Sequence, residues 1–474
     1  MTGPITGGTT RIAILGGGPG GYEAALVAAH LGAEVTLVER DGPGGSAVLT
    51  DCVPSKTLIA TAEVMTLAAG SAELGVRMGD GSPPDGVVGV DLARVNSRVK
   101  QLARSQSEDI ASGLERKGVR IVRDTGRLDG PHTVVTGGSG RAEAIEADFV
   151  LVATGAHPRV LPGAEPDGER ILDWEQLYEL DELPERLVVV GSGVTGAEFA
   201  SAYQALGSQV TLVSSRDRVL PGEDADAAQV IEDVFRRRGM TVLGRSRAEA
   251  VKRTGDGVVV TLTDGRVVEG THCLMAVGSI PNTRGIGLEE AGVTLDRGGF
   301  VQVDRVSRTS ARGVYAAGDC TGVLMLASVA AMQGRIAVHH ALGEAVAPVD
   351  LKAVSSNVFT EPEIATVGWS QSAIEEAGIA ARAVKLPLAT NPRAKMQGIH
   401  DGFVKLFCRD GTGIVLGGVV VAPRASELIY PVALAVDQRL TVDQMAHSFT
   451  VYPSVSGSTA EAARQLHSPE GRRG

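Results

Sequence analysis

Arg11-Ile-Ala-Ile-Leu15-Gly16-Gly-Gly18-Pro-Gly-Gly21 joins a short apolar run to a GxGxxG turn, and the helical stretch Tyr22 to Leu31 follows directly. A second apolar run, Glu34-Val-Thr-Leu-Val38, ends at Glu39. The pattern returns at Leu187-Val-Val-Val190, which leads into Gly191-Ser192-Gly193-Val194-Thr195-Gly196, the helical stretch Ala197 to Leu206 and the run Val210-Thr-Leu-Val213. Each copy reads strand, GxGxxG, helix, strand. Glycine clusters alone also make ordinary turns, so the flanking strand and helix carry the reading. In that setting the first glycine makes the tight turn, the second lets backbone approach a pyrophosphate, and the third lets helix pack on strand. The helix N-terminus then offers backbone N–H groups to phosphate. Glu39 lies 23 residues after Gly16, where a carboxylate accepts hydrogen bonds from an adenosine ribose. A βαβ unit without ligand is the competing reading of each copy. Two fingerprints in one chain predict two dinucleotides.

The same spacing from Gly191 lands on Ser214, so the acidic slot is empty in the second copy, and Ser215, Arg216 and Arg218 follow. Without a carboxylate a 2′-phosphate is not repelled, and serine and arginine can donate to it. This copy is expected to admit NADPH, alongside or instead of NADH. The competing reading leaves both arginines merely solvated in a turn.

Length and composition agree with this organisation. At 474 residues, roughly three domains are expected. A net charge of −11 without a basic run excludes nucleic acid as an expected partner. Only 2 Trp, 6 Tyr and 8 Phe are present, too few for base-stacking platforms. The 4 cysteines include no CxxC pair, and no metal site is expected. No apolar stretch is long enough for a membrane span, and Met1 to Arg11 lacks a signal-peptide pattern, so a cytoplasmic protein is expected. Phe149-Val-Leu-Val-Ala-Thr154-Gly155 closes the first nucleotide region and Val314-Tyr-Ala-Ala-Gly318-Asp319 a later one, with the second βαβ unit between them. One Rossmann-type domain is therefore inserted in another. From about Leu351, strands such as Gly402 to Phe407 and Gly417 to Val421 predict a separate α+β domain. Expected boundaries are 1–157, 158–282, 283–350 and 351–474. Gly79 to Gly89 and the tail His467 to Gly474 read as loops.

Taken together, these motifs resemble the flavoprotein disulfide reductases, the family of lipoamide dehydrogenase and glutathione reductase. Gly44-Gly45-Ser46 to Cys52-Val-Pro-Ser-Lys56 is similar to the family's redox loop. Ala153 to Ala156, Val277 to Asn282, Tyr315 to Asp319, Leu326-Ala327 and Phe359 to Ala365 match its later motifs in order. The resemblance implies FAD on residues 1–157 and 283–350, a nicotinamide nucleotide on 158–282, and a homodimer interface in 351–474. FAD contacts are implied for Gly16, Gly18, Gly21, Glu39, Arg40, Gly45, Ser46, Lys56, Gly126, Thr154, Gly155, Ala156, Asp319, Met325, Leu326 and Ala327. NAD(P) contacts are implied for Gly191 to Gly196, Ser215, Arg216, Arg218 and Gly278. Lys56 would lie near the flavin and pair with Glu198, and Asp319 would hold the ribityl chain.

The departures point to the reaction. Where the family has two cysteines, Ala47 stands for the first and only Cys52 remains. A disulfide needs two sulfurs about 2.05 Å apart. Tyr452 stands where the family places its acid/base histidine, and Gly457 where it places the glutamate. A tyrosine titrates near 10 when unperturbed, a poor match for thiol proton transfer near neutrality. Disulfide exchange is therefore not expected.

The resemblance is closest to lipoamide-dehydrogenase-like NAD(P)H:quinone reductases, which implies hydride transfer to FAD and electron delivery to a small acceptor, a quinone. Cys52, before Pro54 at a helix start, is either an active thiol favoured as thiolate or a retained packing residue. Tyr452 either donates a hydrogen bond to a quinone oxygen or fills space. Cys320, beside Asp319, is either a substitute partner for Cys52 or placed there by the matching Gly-Asp motif without chemistry, while Cys273 and Cys408 read as core. A transhydrogenase or general diaphorase is the alternative within enzymes, and a non-catalytic dimeric scaffold the alternative outside them.

Overall fold

The computed structural model describes residues 9–77, 88–137 and 142–467. Of the expected loops, 79–87 and the tail after His467 lie outside the described residues, as do residues 1–8. The chain forms two compact units. The first comprises residues 1–57, 96–159 and 278–349, the second residues 58–95, 160–277 and 350–474.

The first unit is built on a parallel sheet with strand order Val314–Ala316, Phe149–Val152, Arg11–Leu15, Glu34–Val38, Arg120–Val122. Its central strands are buried on both faces, which is why they read as continuous apolar runs. The first helix spans Pro19–His30, three residues earlier than expected. Pro19 occupies its first turn, where a missing N–H is no loss and the fixed φ already suits a helix. The last fingerprint glycines are therefore helical, and Gly20, Gly21, Ala24, Ala25 and Ala28 form its buried side. Such small residues let the helix Ala327–Ala341 come close: a Cβ on Gly334 would stand 2.1 Å from the Gly20 carbonyl oxygen. Glu23 and Arg335 pair at 2.7 Å across the same helix contact.

The second unit repeats the plan. Its parallel sheet runs Thr241–Leu243, Gln209–Val213, Arg186–Val190, His272–Met275, Ile171–Leu172. The helix after the second fingerprint spans Val194–Leu206, again earlier than expected. The same unit contains an antiparallel sheet, in the order Ser355–Val358, Glu363–Gly368, Val415–Ala422, Phe403–Arg409, Ala381–Pro387. Lys405, buried in that sheet, reaches Asp224 at 2.9 Å and Asp226 at 2.8 Å. Asp224 also caps the helix Ala225–Arg237 by accepting from the N–H groups of Asp226 and Ala227. A buried ammonium thus fixes the helix Ala225–Arg237 to the antiparallel sheet. In the segment after the helix Val442–His447, Phe449, Val451 and Tyr452 are 105%, 78% and 83% exposed.

Gly334→Ala is expected to destabilise the first unit by roughly 1–3 kcal/mol, because the helix contact has no room for a methyl group. Gly70→Ala, where a Cβ meets nothing within 4 Å, is expected to be neutral or slightly stabilising. Thermal unfolding followed by circular dichroism compares the two.

Candidate functional site

The two fingerprints fold into the same backbone trap. Gly16 has φ +103°, and a Cβ there would lie 2.3 Å from the Ala153 carbonyl oxygen; Gly191 has φ +111°, with the Ala276 oxygen at 2.1 Å. A Cβ on Gly21 or Gly196 would stand 1.9 Å from the carbonyl oxygen of Gly16 or Gly191 respectively. Between these crowded positions Gly18 and Gly193 precede the helices in extended conformation, with nothing within 4 Å of a Cβ. Neither helix start is capped by a side chain. An open, glycine-lined approach to an uncapped helix N-terminus fits a pyrophosphate.

The slots after the second strands differ. Glu39 is buried, and its carboxylate accepts from the N–H of Gly17 at 2.5 Å, Asp41 at 2.7 Å and Gly42 at 3.3 Å. Three of its roughly four lone-pair sites thus shape the turn, leaving one side for a ligand hydroxyl. Ser214, in the matching slot of the second copy, is fully buried. Its hydroxyl lies 2.6 Å from that of Ser192, and it accepts from the Arg216 N–H at 3.1 Å. Both serines are therefore turned inward, and Ser192 offers its backbone rather than its side chain to the outside. Ser215 and Arg216 are exposed, while Arg218 is half-buried and donates to the Pro221 carbonyl at 3.4 Å. Arg40 is exposed and paired with Asp41 at 2.9 Å.

The loop from Gly44 to Lys56 is stitched to the first fingerprint. The Gly44 N–H donates to the Gly17 carbonyl at 2.7 Å, and a Cβ on Gly45 would lie 2.8 Å from the Gly18 Cα. Sequence spacing did not reveal this contact, although the Gly44-Gly45 doublet was its signal. A short helix Gly45–Leu49 carries exposed Ser46 and half-buried Ala47. A turn at Thr50-Asp51 follows, closed by the Asp51 N–H on the Ser46 carbonyl at 2.7 Å, and the helix Cys52–Gly70 begins at Cys52. Cys52 and Lys56 are half-buried, one turn apart. The other side of this unit supplies Gly126, packed over the strand ends at Leu15 and Val38, and the Thr154-Gly155 turn, whose carbonyls accept from Asn282 at 2.9 Å each. Burial, and secondarily the charge of Asp51, pushes the Asp319 carboxyl up to about 6. Met325 is exposed, and Leu326 and Ala327 start the helix beside it. Gly278 also belongs to this unit, whereas Gly191–Gly196 and Glu198 belong to the second.

Cys320 does not stand in for the missing sulfur. It is fully buried among Ala13, Leu15 and Val152, and its thiol donates to the Ala317 carbonyl at 3.3 Å. Burial pushes it up to about 11. Cys273 and Cys408 are likewise core residues raised by burial. In the second unit Glu198 is buried and accepts from the Phe359 N–H at 2.8 Å, a partner no sequence pattern announced. A Cβ on Gly457 would meet only Ser454 Oγ at 3.4 Å and Thr450 Oγ1 at 3.8 Å, so packing does not exclude a side chain there.

Residues 10–334 match the family described as pyridine nucleotide-disulphide oxidoreductase, and residues 354–463 match its dimerisation domain. The chain belongs to this family. An NAD(P)H dehydrogenase (quinone) from Mycobacterium tuberculosis is 56% identical over 467 residues, which are 96% of this chain and 94% of the relative. Dihydrolipoyl dehydrogenase 2 of Haloarcula marismortui is 35% identical over 470 residues, 98% of each chain. The crystal structure of LpdA from Mycobacterium tuberculosis has a TM-score of 0.92 and 55% identity, covering 97% of this chain and 100% of that one. Pyridine nucleotide-disulphide oxidoreductases use FAD and NAD(P)H. The two glycine cradles are what such a pair of dinucleotides requires. Among the described residues no helix is long and apolar enough to cross a membrane.

Of the 4 cysteines, only Cys52 is expected to react with a small thiol reagent in the folded protein, while all four react in denaturant. Cys52→Ala should remove the native signal; a second rapidly reacting thiol would contradict the burial of Cys320.

Proposed function

We propose that this chain is an FAD-dependent NAD(P)H dehydrogenase that delivers electrons directly to a quinone and does not exchange disulfides. The observation that carries the proposal is the combination of two intact dinucleotide cradles with a single accessible thiol, Cys52. Ala47 supplies none, and Cys320 is sealed in the core. The 56% identical relative named for NAD(P)H dehydrogenase (quinone) activity supports the same reading.

In this reading residues 1–157 and 283–350 hold FAD, 158–282 the nicotinamide nucleotide, and 351–474 the contact between two copies. Bound FAD would accept two electrons from NAD(P)H and release them to the quinone. The chain's own residues bind and orient. Gly16, Gly18 and Gly21 admit the FAD pyrophosphate, and Glu39 takes a ribose hydroxyl on its remaining side. Arg40, Gly45, Ser46, Gly126, Thr154, Gly155, Ala156, Met325, Leu326 and Ala327 line the cofactor, and Asp319 holds its ribityl chain. Lys56 serves beside the flavin, and the Phe359 N–H orients the Glu198 carboxylate. Gly191 to Gly196 and Gly278 receive the nicotinamide nucleotide, with Ser215, Arg216 and Arg218 at its adenosine end. Cys52 lies off the electron path. Exposed Phe449, Val451 and Tyr452 form part of a homodimer contact that places Tyr452 as a hydrogen-bond donor to the quinone. The protein works in the cytoplasm on a small diffusible acceptor.

Anaerobic titration should reduce the protein fully with one two-electron equivalent per FAD, because no cysteine pair stores a second. Benzoquinones or naphthoquinones should reoxidise it, with dihydrolipoamide and glutathione disulfide inert. Cys52→Ala should keep most of the quinone activity. Uptake of two equivalents per flavin would falsify the scheme.

Arg216→Ala should weaken NADPH binding by roughly 10- to 100-fold, the loss of one charge-assisted hydrogen bond, and leave NADH nearly unchanged. Equal loss for both nucleotides in binding titrations would make Arg216 structural.

A further inference from the structure

The turn carrying Arg216 is gripped by a second loop. Ser214 N–H donates to the Leu243 carbonyl at 2.8 Å, Ser246 N–H to the Ser214 carbonyl at 2.7 Å, and Arg245 N–H to the Arg216 carbonyl at 2.6 Å. Gly244 allows this approach, since a Cβ there would already lie 3.2 Å from the Asp217 carbonyl oxygen. From beneath, the Ser192 hydroxyl meets Ser214, and the Ser192 carbonyl accepts the Leu220 N–H at 2.8 Å. The turn is thus held by its own fingerprint on one side and by the end of the strand Thr241–Leu243 on the other.

This brings two exposed arginines from different strand ends into backbone contact. Among the described residues, neither Arg216 nor Arg245 has an ion-pair partner, whereas nearby Arg266 is committed to Asp264 at 2.6 Å and to Ser246 Oγ at 2.5 Å. Asp217, between them in the turn, is exposed. Arg245 also has φ +53°, a left-handed conformation that glycine or asparagine adopts with less strain. Backbone geometry alone therefore gives no reason for arginine at this point. Both residues lie beyond the carboxyl ends of parallel strands, the edge at which such sheets bind nucleotides.

We propose that Arg245 is a specificity-determining residue: with Arg216 and Ser215 it forms a two-guanidinium subsite for a phosphate monoester on the adenosine ribose of the nucleotide. The inference rests on reading the second fingerprint as a nucleotide site. In the first copy a carboxylate holds the fingerprint turn; here the Ser192–Ser214 hydroxyl pair does so without charge, which leaves the rim positive. Two planar guanidinium groups match the several oxygens of a phosphate, and they gain much less from a bare ribose hydroxyl, whose oxygen is an uncharged acceptor.

The test is calorimetric titration of the flavin-loaded protein with adenosine 2′,5′-bisphosphate and with AMP. The native protein should bind the bisphosphate at least about 10-fold more tightly, with a preference that shrinks as salt is raised. Arg245→Asn, which suits the left-handed turn, should weaken the bisphosphate by about 10-fold and leave AMP unchanged; Arg245→Gly should do the same. Unchanged bisphosphate affinity, or equal loss for both probes, overturns the role of Arg245. A native protein that binds both probes equally also overturns it and leaves the dehydrogenase reading standing. Binding of neither probe takes down both.

Discussion

Everything in the two nucleotide cradles depends on one steric contact, made twice: a helical glycine hydrogen faces the carbonyl oxygen of the glycine five residues earlier. No side chain fits at Gly21 or Gly196, where a Cβ would stand 1.9 Å from that oxygen. The contact lets each helix begin directly at the end of its strand, so its N-terminal dipole opens onto the carboxyl edge of the sheet. A second layer of close approaches is built on the first copy. Gly45 rests on Gly18, Gly44 donates to Gly17, and Gly334 packs on Gly20. The loop bearing Cys52 and Lys56 is placed through these backbone contacts with the fingerprint.

The two copies show how one geometry accepts different chemistry. In both, the residue after the first fingerprint glycine is tied to the residue that ends the next strand region. Gly17 is held by the Glu39 carboxylate, and Ser192 by the Ser214 hydroxyl. The first tie is anionic and suits a ribose. The second is neutral, fully buried and surrounded at its rim by arginine. The structural job is preserved, and the electrostatic consequence is reversed.

Much of this was legible in the chain. The paired strand–GxGxxG–helix units and the placement of Glu39 and Ser214 need only spacing and residue type, while the loss of the first cysteine is read from the resemblance to the family's redox loop. Element starts were less legible: both helices begin three residues early, because the fingerprint glycines are helical despite their low propensity. Tertiary contact with the strand overrides that preference. Changed composition marked only a separate α+β segment, and its role in dimerisation came from the family resemblance; the Lys405 clamp was not legible, since an isolated lysine in a strand carries no signal.

Sequence by itself determined which groups are available: two glycine turns, one carboxylate slot and one serine slot, and a single cysteine where the redox loop of the disulfide reductases it resembles has two. Those are properties of residue identity and local spacing, which survive without coordinates. Only the tertiary structure decided what each group faces. It buried Cys320 beyond use, turned Ser192 and Ser214 toward each other, gave Glu198 the Phe359 N–H, and set Arg245 beside Arg216. Each of these is a contact between distant segments, and its partner is fixed by how sheets and loops pack rather than by neighbours along the chain.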